Sequence, residues 1–230
     1  MKRMTEEKAE QMLAFIADKF DTNNLPFDDA ATFELFQRAD TDGIFMMESE
    51  WDKYDLLRIK PKNMDELTAT IALSHGLAVN PYIYTYLKIQ KIQPFTYPRF
   101  TEMERVKEIL SDTHGMLLWK EQKEEILAYI DSLSDEEKER YSSAIKIVLH
   151  EIELRQHSLS NRKFFRNRAM ICYKLAYIKV HMPEEFDYYL EELCSEEQQK
   201  KGEHNAPLNL AFQVSTQSMS SNTTGLTSGM

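Results

Sequence analysis

Apolar residues recur along this chain at the three- and four-residue spacing that places them on one side of a helix. In residues 5–20, Met12, Leu13, Ile16 and Phe20 follow this spacing, and the pattern predicts an amphipathic helix. Apolar spacing and the boundary signals between segments predict further helices over 28–39, 63–73, 101–115, 117–132, 134–157, 164–181 and 183–194.

Polar and turn residues mark where several of these helices begin and end. Three pairs have the spacing of a capping box: Asn63 with Glu66, Thr101 with Glu104, and Ser134 with Glu137. Gly115 is expected to end one helix, and Pro183 is expected to open the last one. The apolar run 44–47 follows a Thr-Asp-Gly turn, and we interpret it as a buried turn or a single short strand.

Composition agrees with a helical fold. The 230 residues include only 6 Gly and 7 Pro, which favours helices joined by short turns. We therefore expect an all-α protein with one multi-helix domain over 25–197, preceded by an N-terminal helix and loop over 1–24. After Glu203 the chain carries no Lys, Arg, Asp or Glu, so we expect a disordered polar tail over 198–230.

The charge of the chain is acidic overall but locally uneven. A net charge of −10 argues against a protein that binds nucleic acid over its whole surface. Cations nevertheless concentrate in residues 161–181, which contain no acid, and acids concentrate in 184–197, which contain no base. The basic segment is therefore a candidate for a local binding surface.

The sequence contains no signal for export or membrane insertion. No stretch approaches the roughly 20 apolar residues that a membrane span needs, and the first residues turn acidic before any apolar run. We expect a cytoplasmic protein without membrane contact, in which Cys172 and Cys194 stay reduced.

A series of short blocks, in a fixed order, resembles a known family. Residues 28–49 read DDAATFELFQRADTDGIFMMES. Further blocks are IKP at 59–61, LTATIAL at 67–73, YP at 97–98, THGMLLWKEQ at 113–122, NR at 161–162 and YKLAYIKVHMPEEF at 173–186. Over residues 25–193 the chain resembles the fingers region of the bacterial DNA polymerase III alpha subunit, a C-family replicative polymerase. The resemblance implies a helical fingers fold and a role in DNA replication.

The chain departs from the family pattern where the family does its chemistry. The resemblance implies that catalysis depends on three palm aspartates, in DFDID-like and KFDFLGL-like motifs, and neither motif occurs here. Two-metal phosphoryl transfer needs such carboxylates, so we expect no catalytic residue, metal or cofactor. The family's basic RRA-GKK segment would fall at 135–150, where this chain reads DEEKERYSSAIKIVLH.

The basic segment 161–181 is the leading candidate site. Its candidate nucleic-acid-binding residues are Asn161, Arg162, Lys163, Arg166, Arg168, Lys174 and Lys179. Candidate stacking surfaces are Phe164, Phe165, Tyr173 and Tyr177. The alternative is a solvated basic face that pairs with the acidic segment 184–197, with the aromatic rings in the core. The resemblance also implies nucleotide-side or primer-side contacts at Lys120 and Gln122, against the alternative of a polar helix face.

Other polar patterns have simpler interpretations. Asp40 and Asp42 flank a threonine, which favours a structural turn over a metal pair. Asp28 and Asp29 are placed to cap a helix. The segment HEIELRQH at 150–157 lacks the HExxH spacing of a zinc protease.

Three hypotheses for function follow. The leading one is a non-catalytic module that binds single-stranded or primer-template DNA, or a replication protein, through 161–181. The second is a protein-interaction module that does not bind DNA, such as a decoy or regulator from a phage or mobile element. The third is one piece of a split polymerase with its palm on another polypeptide, which the missing RRA-GKK-like segment disfavours.

Overall fold

The computed structural model describes residues 3–17, 20–22, 24–75 and 103–192. The helices in these ranges are α1 (Glu6–Ala17), α2 (Ala30–Gln37), α3 (Glu50–Ile59), α4 (Met64–His75), α5 (Glu104–Ile109), α6 (Lys120–Ser132), α7 (Asp135–Arg140), α8 (Ser142–Arg155), α9 (Arg162–His181) and α10 (183–192). A 3-10 turn covers Ser111–Thr113. Within the described ranges, strand-like pairing is limited to one parallel bridge between Trp119 and Ser160, and the predicted all-α fold is confirmed.

Side chains at the helix starts behave largely as predicted. Ser134 and Glu137 form the expected capping box at the start of α7. Asn63 accepts a hydrogen bond from the amide of Glu66 at 2.9 Å. The Glu66 carboxylate, however, accepts from the amide of Lys62 at 2.8 Å, so the second half of that capping box is displaced by one residue.

The helix predicted over 134–157 is in fact two helices. Tyr141 has φ −94° and ψ 13°, and this departure from helical geometry separates α7 from α8. The capping signal at Ser134 correctly predicted the start of α7, but the apolar spacing gave no sign of the break.

The helix predicted over 101–115 is shorter than expected. Helix α5 begins at Glu104, with Met103 at the N-cap position and no side-chain hydrogen bond there, while Thr101 lies outside the described residues. After α5 the chain tightens into the 3-10 turn, and Gly115 closes this region with φ 90°.

The apolar run 44–47 is a buried turn. The amide of Ile44 donates to the carbonyl of Thr41 at 3.0 Å, and the amide of Met47 donates to the carbonyl of Ile44 at 3.1 Å. Gly43 precedes the run with φ 80°, a conformation that glycine adopts without a steric penalty.

Helix α4 lies at the centre of the main core. Nine of its 12 residues are buried, and it packs against α3 and α9. Helix α9 also packs against α1 and α2. It therefore buries one side and presents the other to solvent.

A second cluster of buried apolar residues comes from α5, α6 and α8.

The predicted region boundaries stay predictions. Helix α1 packs against α9, which belongs to the predicted domain 25–197, and the predicted tail 198–230 lies outside the described residues. Among the helices of the described ranges, none has both the length and the apolar composition to cross a membrane.

Candidate nucleic-acid interface

The start of α9 is held by two side chains that accept hydrogen bonds from amides of its first turn. The side chain of Asn161 accepts from the amide of Phe164 at 2.7 Å and caps the helix. The amide of Arg162 donates to both carboxylate oxygens of Glu121, at 3.0 and 3.1 Å. A carboxylate from α6 therefore occupies the positive end of the α9 dipole, where anions are stabilised.

Two arginines in the first turns of α9 share acidic partners from other elements. Arg166 lies 2.8 Å from the carboxylate of Asp65 in α4. Arg162 lies 3.5 Å from the same carboxylate and 2.6 Å from that of Asp112 in the 3-10 turn. The side chains of Arg162 and Arg166 remain 41% and 38% exposed, so both are still accessible to a ligand.

Asp112 is the more buried of these two acids. Burial raises the pKa of the Asp112 carboxyl, Arg162 opposes that rise, and the neighbouring Asp65 adds to it. The side chain amide of Gln122 holds the carboxylate at 2.9 Å. The Asp112 carboxylate is therefore held in place next to Arg162 by the surrounding fold.

An aromatic ring and a guanidinium stand together on the exposed side of α9. Phe164 is 46% exposed, and the guanidinium carbon of Arg168 lies 3.5 Å from the centre of its ring. Arg168 also pairs with Glu6 at 2.9 Å. Lys163 is exposed and makes no ion pair among the described residues. Proteins that bind single-stranded nucleic acids combine an exposed aromatic ring with nearby cations in this way.

The remaining cations of the predicted site lie elsewhere along the helix. Lys179 is 17 positions beyond Arg162, about 25 Å along the helix axis. Its ammonium group binds the Asp40 carboxylate at 2.8 Å and the carbonyls of Asp40 and Asp42 at 2.9 and 3.2 Å. Lys174 is half-buried. The predicted residues from Asn161 to Arg168 therefore lie in the first two turns of α9, with Arg162 and Arg166 on one face and Arg168 on another. Lys174 and Lys179 lie farther along the helix.

Three of the four predicted stacking rings are not available to a ligand. Tyr173 is fully buried, and its hydroxyl donates to the carbonyl of Pro26 at 2.6 Å and accepts from the amide of Asp29 at 3.0 Å. Phe165 is buried, and Tyr177 stacks on Phe20 with ring centres 6.0 Å apart. Phe164 is the one exposed ring of these four, because helical spacing places Phe165 and Tyr173 in the core and leaves Tyr177 half-buried.

Gln122 lies inside the protein rather than on a polar helix face. It is 3% exposed, and its oxygen accepts from the amides of Leu118 and Trp119, both at 3.1 Å. Its nitrogen donates to Asp112 and to the hydroxyl of Thr113, each at 2.9 Å. Lys120 is exposed. The nucleotide-side contact at Gln122 stays a prediction that would require this network to open.

The acidic pairs have the structural roles expected of them. Asp29 is the N-cap of α2 and accepts from the amide of Thr32 at 2.8 Å. Asp40 and Asp42 belong to the turn that Lys179 binds, and Asp42 also pairs with Lys53 at 2.7 Å. Over the part of the chain that the structure describes, no group of three or more His, Cys, Asp or Glu side chains is arranged to hold a metal ion.

The pairing expected under the alternative interpretation involves different acids. Arg162, Arg166 and Lys179 bind acids of α4, the 3-10 turn and the turn at 40–42. None of these pairs involves residues 184–192, the described part of the acidic segment. Sequence reasoning missed these acids because no local spacing connects them to α9.

Comparison with known proteins identifies the scaffold that carries this surface. Residues 1–157 match the family model described as the bacterial DNA polymerase III alpha subunit finger domain. The chain belongs to this family.

Individual relatives of the finger-domain chain are polymerases. It is 26% identical to the DNA polymerase III subunit alpha of Thermus aquaticus over 200 residues, which are 73% of this chain and 16% of the relative. It is 33% identical to that of Aquifex aeolicus over 126 residues, or 53% of this chain and 10% of the relative. It is 35% identical to the error-prone DNA polymerase of Xanthomonas campestris pv. campestris (strain B100) over 120 residues, or 49% of this chain and 10% of the relative. The chain spans less than a fifth of each of these relatives.

The boundary of the family match divides the candidate interface. Asp65, Asp112 and Glu121 lie within the matched residues 1–157, whereas α9 begins at Arg162. The finger domain thus contributes the acids of the interface, and the segment that follows contributes the cations.

Proposed function

We propose that this chain serves DNA replication as a non-catalytic finger module that binds single-stranded or primer-template DNA through the first two turns of α9. The observation that carries the proposal is the exposed ring of Phe164 with the Arg168 guanidinium 3.5 Å from its centre. Lys163 is an exposed cation next to Phe164 in the chain, and Arg162 and Arg166 supply positive charge on another face of the same two turns. Stacking and phosphate attraction together give sequence-tolerant binding of single strands.

The absence of catalysis in this proposal rests on the sequence. The aspartate motifs that the resemblance associates with two-metal chemistry do not occur in this chain. The segment 135–150, where the resemblance places phosphate-facing basic residues, begins with four acids in its first five positions. The finger scaffold therefore offers a binding surface without the groups that hold the metal ions.

The affinity is expected to be weak and dependent on salt. Asp65 and Asp112 already pair with the arginines of α9, so DNA phosphates must compete with built-in carboxylates. The net charge of −10 adds a general repulsion. Such an interface loses affinity steeply as salt rises, because each phosphate contact releases counterions.

Fluorescence anisotropy with labelled single-stranded and primer-template DNA tests the proposal. The test variant replaces Arg162, Lys163, Arg166 and Arg168 by Gln. A matched control replaces Arg105, Lys107, Lys138 and Arg140 by Gln, which changes the net charge equally on other elements. We expect the parent and the control variant to bind DNA, and the α9 variant to lose binding. Equal binding by all three proteins would refute it.

A second assay tests the non-catalytic part. The chain is incubated with primer-template DNA, deoxynucleotides and Mg²⁺, and the primer length is measured. We expect no extension. Extension by the purified chain would show that it holds metal ions without the expected motifs.

A specific surface favours the second hypothesis, a protein-interaction module. Ile147 and Leu154 are 38% and 63% exposed on α8, and their seven-residue separation places them on one face of the helix. Apolar side chains on one exposed helix face give a partner protein an apolar surface to bury. A pull-down from nuclease-treated lysate tests this alternative, with Leu154→Ser as the variant expected to lose a specific partner.

A further inference from the structure

Helix α3 presents large apolar side chains to solvent. Trp51, Tyr54 and Leu57 are 77%, 49% and 50% exposed. Trp51 and Tyr54 are one turn apart, and Arg58 follows on the next turn of the same face. The guanidinium carbon of Arg58 lies 5.0 Å from the centre of the Tyr54 ring, within range of a cation–π contact. An exposed Trp beside an exposed Tyr and an Arg is typical of a binding surface.

Helix α3 buries two of its three acids, and its own two cations are half-buried. Asp52 and Asp55 are buried, and Glu50 in the first turn is the exposed acid of α3. Lys60 at the C-cap and Lys62 just beyond it are both exposed. In a chain with a net charge of −10, the exposed rings of α3 therefore lie beside one half-buried cation, Arg58, and two exposed lysines follow the C-terminal end of the helix.

We propose that the exposed face of α3, formed by Trp51, Tyr54 and Arg58, is a stacking site for the bases of single-stranded nucleic acid. Aromatic rings bind the face of any base, and neighbouring cations bind the phosphates between them. The positive charge of Arg58 complements phosphate, and Lys60 and Lys62 add cations past the C-terminal end of the helix. A purely apolar protein segment would use the rings but leave that charge unmatched, so the electrostatics favour the nucleic acid.

This site deepens the proposed function, because it adds a second contact for the same class of ligand. It does not depend on the residues of α9. Helices α3 and α9 each pack against α4, and they supply separate sets of exposed side chains. The two surfaces can therefore be tested independently.

Trp51 is itself the probe for this test. The chain has two tryptophans, and the other one, Trp119, is 1% exposed. The parent chain is titrated with a thymidine oligonucleotide while tryptophan fluorescence and its quenching by iodide are measured. An abasic strand of the same length is the matched ligand, since it keeps the phosphates and lacks the bases. The thymidine strand is expected to quench Trp51 and shield it from iodide, and the abasic strand is expected to do neither.

Substitutions on the same face provide the second arm. Trp51→Ala is expected to weaken binding of the thymidine strand about tenfold, the equivalent of about 1.4 kcal/mol. Leu57→Ala removes a neighbouring exposed side chain without a ring and is expected to leave affinity unchanged. Because both side chains are largely exposed, neither substitution removes a core contact, and circular dichroism confirms the fold.

Several outcomes would overturn the inference. One such outcome is that neither strand changes the fluorescence of Trp51. Another is that the parent, Trp51→Ala and Leu57→Ala bind the thymidine strand with equal affinity. A parent that sediments as a dimer, with a monomeric Trp51→Ala variant and unchanged DNA binding, would identify the face as a protein interface instead.

The α9 variant separates this inference from the proposed function. Trp51 quenching that is equal in the parent and in the quadruple α9 variant would support the α3 site and count against α9. Binding that requires the α9 cations but leaves Trp51 unquenched would support α9 and overturn the α3 site.

Discussion

Arg166 on α9 and Asp65 on α4 form an ion pair at 2.8 Å across 101 positions of the chain. The pair is 38% and 50% exposed, so its contribution to stability is small, on the order of 0–1 kcal/mol. Its larger effect is on the charge that the candidate interface presents to a ligand, because the negative charge of Asp65 offsets the positive charge of Arg166.

Replacing Asp65 by Asn is expected to raise the affinity for single-stranded DNA about fivefold, since removal of one nearby charge at a partly screened site is worth about 1 kcal/mol. Fluorescence anisotropy at low salt measures the change. Glu104→Gln, which frees Lys107 at an exposed pair on α5, changes the net charge equally and serves as the control. The same gain in both variants would mean that only net charge matters.

Gln122→Ala is expected to lower the free energy of unfolding by about 2–3 kcal/mol, because the substitution leaves the buried amides of Leu118 and Trp119 without partners and removes a hydrogen bond to the Asp112 carboxylate. Urea denaturation measures the loss, and the DNA affinity of the folded variant should be unchanged. Lys120→Ala, an exposed neighbour, should alter stability little. A stable Gln122→Ala variant with weakened DNA binding would instead support the predicted nucleotide-side contact.

A buried pair links stability to pH. Nε2 of His75 lies 2.8 Å from the carboxylate of Asp52, which is 3% exposed. Burial opposes both charges, but the hydrogen bond and attraction between the two groups raise the pKa of His75 and lower the pKa of Asp52. The histidine's contribution is complete below its unfolded pKa of about 6.5 and is lost as pH rises through the folded value. The aspartate's contribution is present above about 3.9 and is lost as pH falls.

His75→Gln is therefore expected to cost about 2 kcal/mol between about pH 4 and 6.5 and progressively less above that range. Urea denaturation of parent and variant across this range measures the difference. His181→Gln, which affects a pair 38% exposed at the histidine, should cost less stability. A cost for His75→Gln that is constant from acid to alkaline pH would contradict this assignment.

Gly43→Ala is expected to destabilise the chain by about 1–3 kcal/mol. Gly43 has φ +80°, and a Cβ there would lie 2.7 Å from Leu190 Cδ1 and 3.0 Å from Phe186 Cζ. Thermal denaturation measures the loss. Asn tolerates positive φ better than Ala but adds the same Cβ. A Gly43→Asn variant that is more stable than Gly43→Ala would indicate backbone strain, and equal losses in the two variants would indicate crowding of the Cβ. A Gly43→Ala variant as stable as the parent would rule out both.

The helices could be predicted from sequence because their signals are local. Ser134 and Glu137 are three residues apart, and the cap that they form is present. The interface could be predicted only in part for the same reason. The cations of α9 are visible as a run, but Asp65 and Asp112 reach them through tertiary packing, which leaves no periodic pattern. The stacking prediction for Tyr173 is wrong, because this residue belongs to the basic run in sequence but lies on the buried side of α9.

The salt dependence of single-stranded DNA binding tests the central claim most directly. Affinity is measured by anisotropy between about 50 and 200 mM salt for the parent and for the quadruple α9 variant. We predict that the parent binds at the low end and loses affinity steeply, and that the slope of log affinity against log salt falls by about 3 in the variant, or about 0.7 for each neutralised cation. Absence of binding at the lowest salt, or an unchanged slope in the variant, would contradict a DNA interface at α9.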